Sequence, residues 1–176
     1  MSLRHALAFL LLPLAGCGDN NDNSAGRISG NGPGARLEEA AIESGLIPDP
    51  DDIVVSGRFE RRSDVGTDKF CAISEGEEEA RIGMLAVFGA DSQCEARGTA
   101  RWQGEQVHLE LAGKDACSFE AQFDGVALQL PGSLPPGCES YCNGRGSFSG
   151  VQFFLVETGD AAARSSRGRD FVRLCE

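Results

Sequence analysis

Histidine is nearly missing from this 176-residue chain, which has only 2. No apolar stretch approaches the ~20 residues that a membrane-spanning helix needs. Basic residues are scarce too, 16 Lys+Arg against 27 Asp+Glu, for a formal net charge of -11. The first shortage leaves little material for imidazole chemistry, and the second excludes a helical integral membrane protein. The third argues against a nucleic-acid partner, because binding would work against phosphate repulsion. What is present is ordinary for a folded chain: 41 % hydrophobic and 24 % charged residues, with length for one domain plus tails. Seven cysteines are the conspicuous surplus.

The amino terminus carries an address. Arg4 and His5 precede the apolar run Ala6 to Leu12, and Leu14-Ala15-Gly16-Cys17 follows Pro13. A short polar start, a seven-residue apolar core and small residues before a cut describe a secretory signal over residues 1–16. Leu14 to Cys17 resembles the lipobox of bacterial lipoproteins. That resemblance implies cleavage before Cys17 and acylation of Cys17, with palmitate-type chains holding the mature protein to a membrane. Each buried CH₂ contributes about 0.8 kcal/mol, so two or more chains anchor stably where one does not. Gly18 stands where an inner-membrane retention signal would place Asp, which favours the outer membrane, facing the periplasm.

Residues 17–35, rich in Gly, Asn, Asp and Ser, read as a flexible tether. Asp19, Asn21 and Asn23 have the alternate spacing of a calcium loop. Ser24 and Gly30 occupy the positions that need Gly and Glu, so the loop fails. A short helix is expected over Ala35–Ser44, closed by Gly45, with Pro48 to Asp52 as a stiff acidic connector, so that 36–52 forms helix plus connector. From Ile53 to the carboxyl terminus short apolar segments alternate with turn residues. The pattern is mainly β: a small antiparallel barrel or sandwich with short helices near both ends. A two-residue turn at Asp124-Gly125 would pair Phe123 with Val126, Ala121 with Leu128 and Phe119 with Leu130. One at Gln103-Gly104 would pair Ala100 with Val107, Gly98 with Leu109 and Ala96 with Leu111. Both registers gather apolar residues on one face and send His108 and Glu110 outward. Gly98 suggests a tight bend, and Ile82 to Phe88, apolar on both faces, reads as a central strand. A helix over Asp160–Ser166 and a last strand over Phe171–Cys175 complete the domain.

With Cys17 assigned to lipid, Cys71, Cys94, Cys117, Cys138, Cys142 and Cys175 remain, an even number that reads as three disulfides outside the cytoplasm. The strand parity favours Cys94–Cys117, leaving Cys138–Cys142 as a small loop and Cys71–Cys175 as a tie for the last strand. Zinc would need a second close pair beside Cys138 and Cys142, and none exists. No metal and no cofactor are expected.

Catalytic motifs are thin. After signal removal His108 is the single imidazole, beside Glu110 on the wet face. A hydrolase using His108 and Glu110 is one reading; an exposed polar strand is the plainer one. Gly146-Ser147-Phe148-Ser149-Gly150 has Phe where a nucleophile elbow has Ser, and Gly144-x-Gly146 lacks the third glycine of a dinucleotide loop. Two exposed segments suit binding. One is the acidic loop Glu75, Glu77, Glu78 and Glu79; the other is Pro131–Gly146, with Tyr141, the only tyrosine, and Arg145. Arg164, Arg167, Arg169 and Arg173 could form a patch for anionic groups.

The leading expectation is therefore a non-enzymatic, lipid-anchored envelope protein that binds an envelope protein or glycan, or plays a structural part. Ser149-Gly150-Val151-Gln152-Phe153 resembles the Ser-Gly-x-x-Tyr element of periplasmic inhibitors of c-type lysozyme, which are small β-barrels, often lipid-anchored. The second segment of that family, with its Tyr and Lys, has no counterpart here.

Overall fold

The computed structural model describes residues 33–44, 46, 56–113 and 115–176. The signal, Cys17, Gly45 and the acidic connector lie outside them. Helix α1 spans Pro33–Glu43, beginning two residues before the expected start, with Pro33 at a position where its missing N–H costs nothing. Beyond it, eight antiparallel strands close into a barrel in simple chain order. They are β1 (Gly57–Ser63), β2 (Gly66–Ser74), β3 (Glu79–Gly89), β4 (Ser92–Gln103), β5 (Gln106–Leu111), β6 (Cys117–Phe123), β7 (Ala127–Gln129) and β8 (Gln152–Thr158). β8 returns to pair with β1, so the sheet has no free edge. A 3₁₀ turn, Pro136–Tyr141, lies before β8, and helix α2, Asp160–Ser165, follows it.

Alternation builds the core. Along β6 the odd residues Cys117, Phe119, Ala121 and Phe123 are buried while the even ones face water. Phe59, Phe70, Phe123 and Phe153 meet in the middle. The Phe59 and Phe70 rings lie edge to face with centroids 5.2 Å apart, and Phe148 enters from the loop before β8. The interior is filled with side chains.

Both hairpin registers slip by two residues from expectation. The β4–β5 turn is Gly104-Glu105, so Ala100 faces Leu109 and Gly98 faces Leu111. Gly104 takes φ +63°, which glycine adopts without the clash a β-carbon brings. Between β6 and β7 the Asp124 carboxylate accepts hydrogen bonds from the Val126 and Ala127 N–H groups, at 2.9 and 2.7 Å. That side-chain turn lengthens the loop, pairs Phe123 with Leu128, and leaves Val126 exposed. A slip of two preserves parity, so the apolar face stayed where alternation placed it. At Gly98 a β-carbon would overlap the Glu110 carbonyl, which accounts for the glycine.

The expectation of a strand at Phe171–Cys175 is corrected. Ser166 to Cys175 is an irregular strap, with a turn in which Gly168 N–H donates to Val172 O at 2.8 Å. Because the barrel is closed, no edge is left for a ninth strand, and the strap lies on the outer face of β2 and β3. There Leu174 and Cys175 join Cys71, Ile73, Leu85 and Ala163 in a second buried cluster. This explains why Ile82 to Phe88 is apolar on both faces: Ile82, Met84 and Ala86 face the core, and Leu85 faces the strap. A closed barrel has no central strand, so that expectation also falls. Arg97 holds the strap by donating to the Leu174 carbonyl at 3.0 Å and the Arg173 carbonyl at 3.2 Å.

Candidate binding face on the outside of the barrel

The sulfurs fix the surface on which any site must be built. Cys71–Cys175 pins the strap, as expected. The other two pairings are corrected: Cys94 bonds Cys142, and Cys117 bonds Cys138. Cys94 and Cys117 do point inward, but β5 lies between their strands. Two strand spacings, about 9.6 Å, exceed the reach of a disulfide. Cys138, inside the 3₁₀ turn, and Cys142, the residue that follows it, instead reach β6 and β4 separately. The Pro131–Gly146 segment is thus clamped to the barrel at two points rather than closed on itself. Tyr141 is spent in the same way, its hydroxyl donating to the Leu111 carbonyl at 3.2 Å and the Asp115 carbonyl at 3.4 Å. Loss of solvation, then the Asp115 charge, raises its phenol above the ordinary value of 10.0. Arg145 remains exposed beside this clamp, with its backbone N–H donating to Ser92 Oγ at 3.2 Å.

The imidazole lies on the outer face of β3 to β6. Glu79, Arg101, His108 and Glu120 stand in one row, each opposite the next across neighbouring strands. Arg101 donates to Glu79 Oε1 from Nη2 at 2.7 Å and from Nε at 3.1 Å. Those bonds, strengthened by the Glu79 charge, raise the Arg101 pKa. His108 Nδ1 lies 2.6 Å from Glu120 Oε1. An ionised carboxylate only accepts, so Nδ1 carries the hydrogen in this contact. Glu110 is not the partner of His108. It stands one row away, opposite Thr99 and Ser118, although it lines the same shallow cleft with Glu75, Thr99 and Arg101. Glu120 is not legible in the sequence as the partner of His108, because it comes opposite only through the β5–β6 register, which the irregular loop between those strands does not reveal.

No protein-family model, curated protein or solved structure matches this chain. Function is therefore read from the chemistry of the surface alone.

The acidic loop is partly tied down: Glu75 pairs with Arg81 at 3.1 Å and Glu79 with Arg101, leaving Glu77 and Glu78 exposed. The arginine patch does not gather as a free cationic surface. Arg164 faces Asp160 and Glu176, Arg173 bonds Glu176, and Arg169 faces Glu95 at 3.6 Å. Arg167 is exposed and gives its carbonyl to Lys69. Ser149 and Gly150 form the turn into β8, where Gly150 has φ +71° and its N–H donates to the Pro131 carbonyl at 2.8 Å. Phe153, three residues on, is wholly buried.

Proposed function

We propose that this chain is a lipid-anchored protein of the bacterial cell envelope, held by an acylated Cys17 in the outer membrane and facing the periplasm, and that it works by binding rather than catalysis. One observation carries the reading. All six cysteines beyond Cys17 fall into three disulfides, each tying a strand to a loop or strap, which is the economy of a protein made for an oxidising compartment. A barrel filled with side chains leaves its outer face as the place to meet an envelope protein or glycan. Surplus negative charge disfavours nucleic acid there.

The test is mass spectrometry of protein extracted from membranes of a bacterium expressing the full chain. The expected species begins at Cys17 and carries acyl mass. An amino terminus retaining Met1, or free thiols at the six other cysteines, overturns the reading. The closed barrel with Ser149-Gly150 at an exposed turn supports a second reading, an inhibitor of c-type lysozyme, whose basic charge the acidic surface would attract. Titration against lysozyme activity decides it: stoichiometric inhibition supports it, and undiminished activity removes it. For the hydrolase reading, His108→Ala must abolish whatever hydrolysis is found.

A further inference from the structure

The chain contains six glutamines, and five of them stand in one line. Gln103 faces Gln106, Gln106 faces Gln122, Gln122 faces Gln129, and Gln129 faces Gln152. The row crosses β4 to β8 without interruption, covering about 19 Å of barrel surface at about 4.8 Å per strand. Trp102, Val107, Phe123, Leu128 and Phe153, their sequence neighbours, are buried, so the five carboxamides lie on the outer face.

Two shallow clefts follow one another along this line. Gln103 and Gln106 line the first, next to His108 and Glu120; Gln122, Gln129 and Gln152 line the second, next to Glu105 and Asp124. Among the described residues, Gln129 alone of the five uses its side chain internally. Its amide donates to the Leu130 and Gly150 carbonyls at 3.0 and 3.1 Å, which fixes its direction. Solubility does not call for this arrangement, since charged residues already cover the surface and a fixed glutamine loses more side-chain entropy than shorter polar residues. What a carboxamide adds is two donors and two acceptor sites without charge. That matches hydroxyl and acetamido groups, which also donate and accept. Phe154, on the same face of β8 two residues beyond Gln152 and partly exposed, offers an apolar ring to the C–H face of a sugar. The neighbouring Glu105, Glu120 and Asp124 carboxylates would repel a polyanion.

We infer that the glutamine row is a track for a neutral polysaccharide strand, lying across β4 to β8 with sugar units in both clefts. This deepens the binding reading and rests on it for the class of partner, while standing apart from the lipid anchor, whose test reads only Cys17. The experiment is calorimetric and NMR titration of the full chain with the β-1,4-linked hexamers of N-acetylglucosamine and of glucose. At least one hexamer should bind saturably with Kd of about 1 mM or tighter, and 0.5 M salt should leave that affinity unchanged, because the contacts are uncharged. Gln106→Ala with Gln122→Ala should weaken it at least about tenfold. Gln93→Ala, at the sixth glutamine outside the row, should leave it unchanged. Trp102 fluorescence reports whether the double variant is folded; should it not be, Gln122→Asn, which retracts the amide by one carbon, is expected to weaken binding in its place. Absence of binding by both hexamers overturns the inference. So does loss of binding in high salt, equal weakening by Gln93→Ala, or self-association of the chain that the double variant abolishes without sugar.

Discussion

Removing the Cys71–Cys175 bridge tests how the strap is held. The bond spans 104 residues. By the chain-entropy relation, a loop of that length stabilises the fold by about 4.7 kcal/mol. The Cys94–Cys142 bridge shortens the path, however. Only 23 residues separate Cys71 from Cys94 and 33 separate Cys142 from Cys175, an effective loop of about 56 residues. The same relation then gives about 4.2 kcal/mol. Cys71→Ala with Cys175→Ala should therefore lower stability by about 4 kcal/mol. At a slope of about 2 kcal/mol per molar urea, the unfolding midpoint drops by roughly 2 M with the other two disulfides intact. Without the bridge the strap is held only non-covalently, by Leu174 burial, the Arg97 hydrogen bonds, the Lys69 bond to the Arg167 carbonyl and the Glu95 bond to the Arg169 N–H, so it should open ahead of the barrel. Trypsin should then cut at Arg167, Arg169 or Arg173 under conditions in which the parent resists. A midpoint shift below about 0.5 M with an unchanged slope would refute both the pairing and the entropy reasoning.

Three further outcomes are expected. Asp68 is fully buried, pairs with Arg61 Nε at 2.8 Å and accepts the Val87 N–H at 2.7 Å. Asp68→Ala leaves that N–H and a partly buried guanidinium without it, and should cost about 3 kcal/mol in urea unfolding, with Asn recovering a fraction. Phe171 is 84 % exposed and holds φ +60°, a conformation unfavourable for a bulky residue. Phe171→Asn should raise stability by about 0.5–1 kcal/mol, since no burial is lost; a destabilised variant would show that the ring has a structural contact. The single tyrosine makes Tyr141 ionisation readable at 295 nm. Its raised pKa means that the folded state holds the phenolic proton more tightly than the unfolded chain. The associated stability is complete below pH 10 and is lost as pH climbs through the higher folded value. An ionisation midpoint at or below 10 in the folded protein would contradict the partly buried, hydrogen-bonded hydroxyl.

Much of the barrel was legible because alternation is a local property. The one-sided pattern of Cys117 to Phe123 assigns faces whether or not the partner strand is known, and both slipped hairpins kept those faces intact. Turn details were less legible. The Asp124 carboxylate lengthened one loop through side-chain hydrogen bonds, and Gly104 rather than Gln103 opened the other. The polar face was half visible. His108 stands out in the sequence as a lone imidazole at an outward strand position, while Glu120 and Arg101 become its neighbours only through strand pairing.

Composition and periodicity alone determined that the chain is β-rich, acidic and equipped for three disulfides, with an apolar side to each strand. These follow from residue type and from a period of two, which need no distant partner. Tertiary structure alone decided three things: that the sheet closes, which sulfur meets which, and that glutamines scattered from 103 to 152 stand in line. Each depends on the register between segments far apart in sequence, and register is set by how whole strands pack around one core.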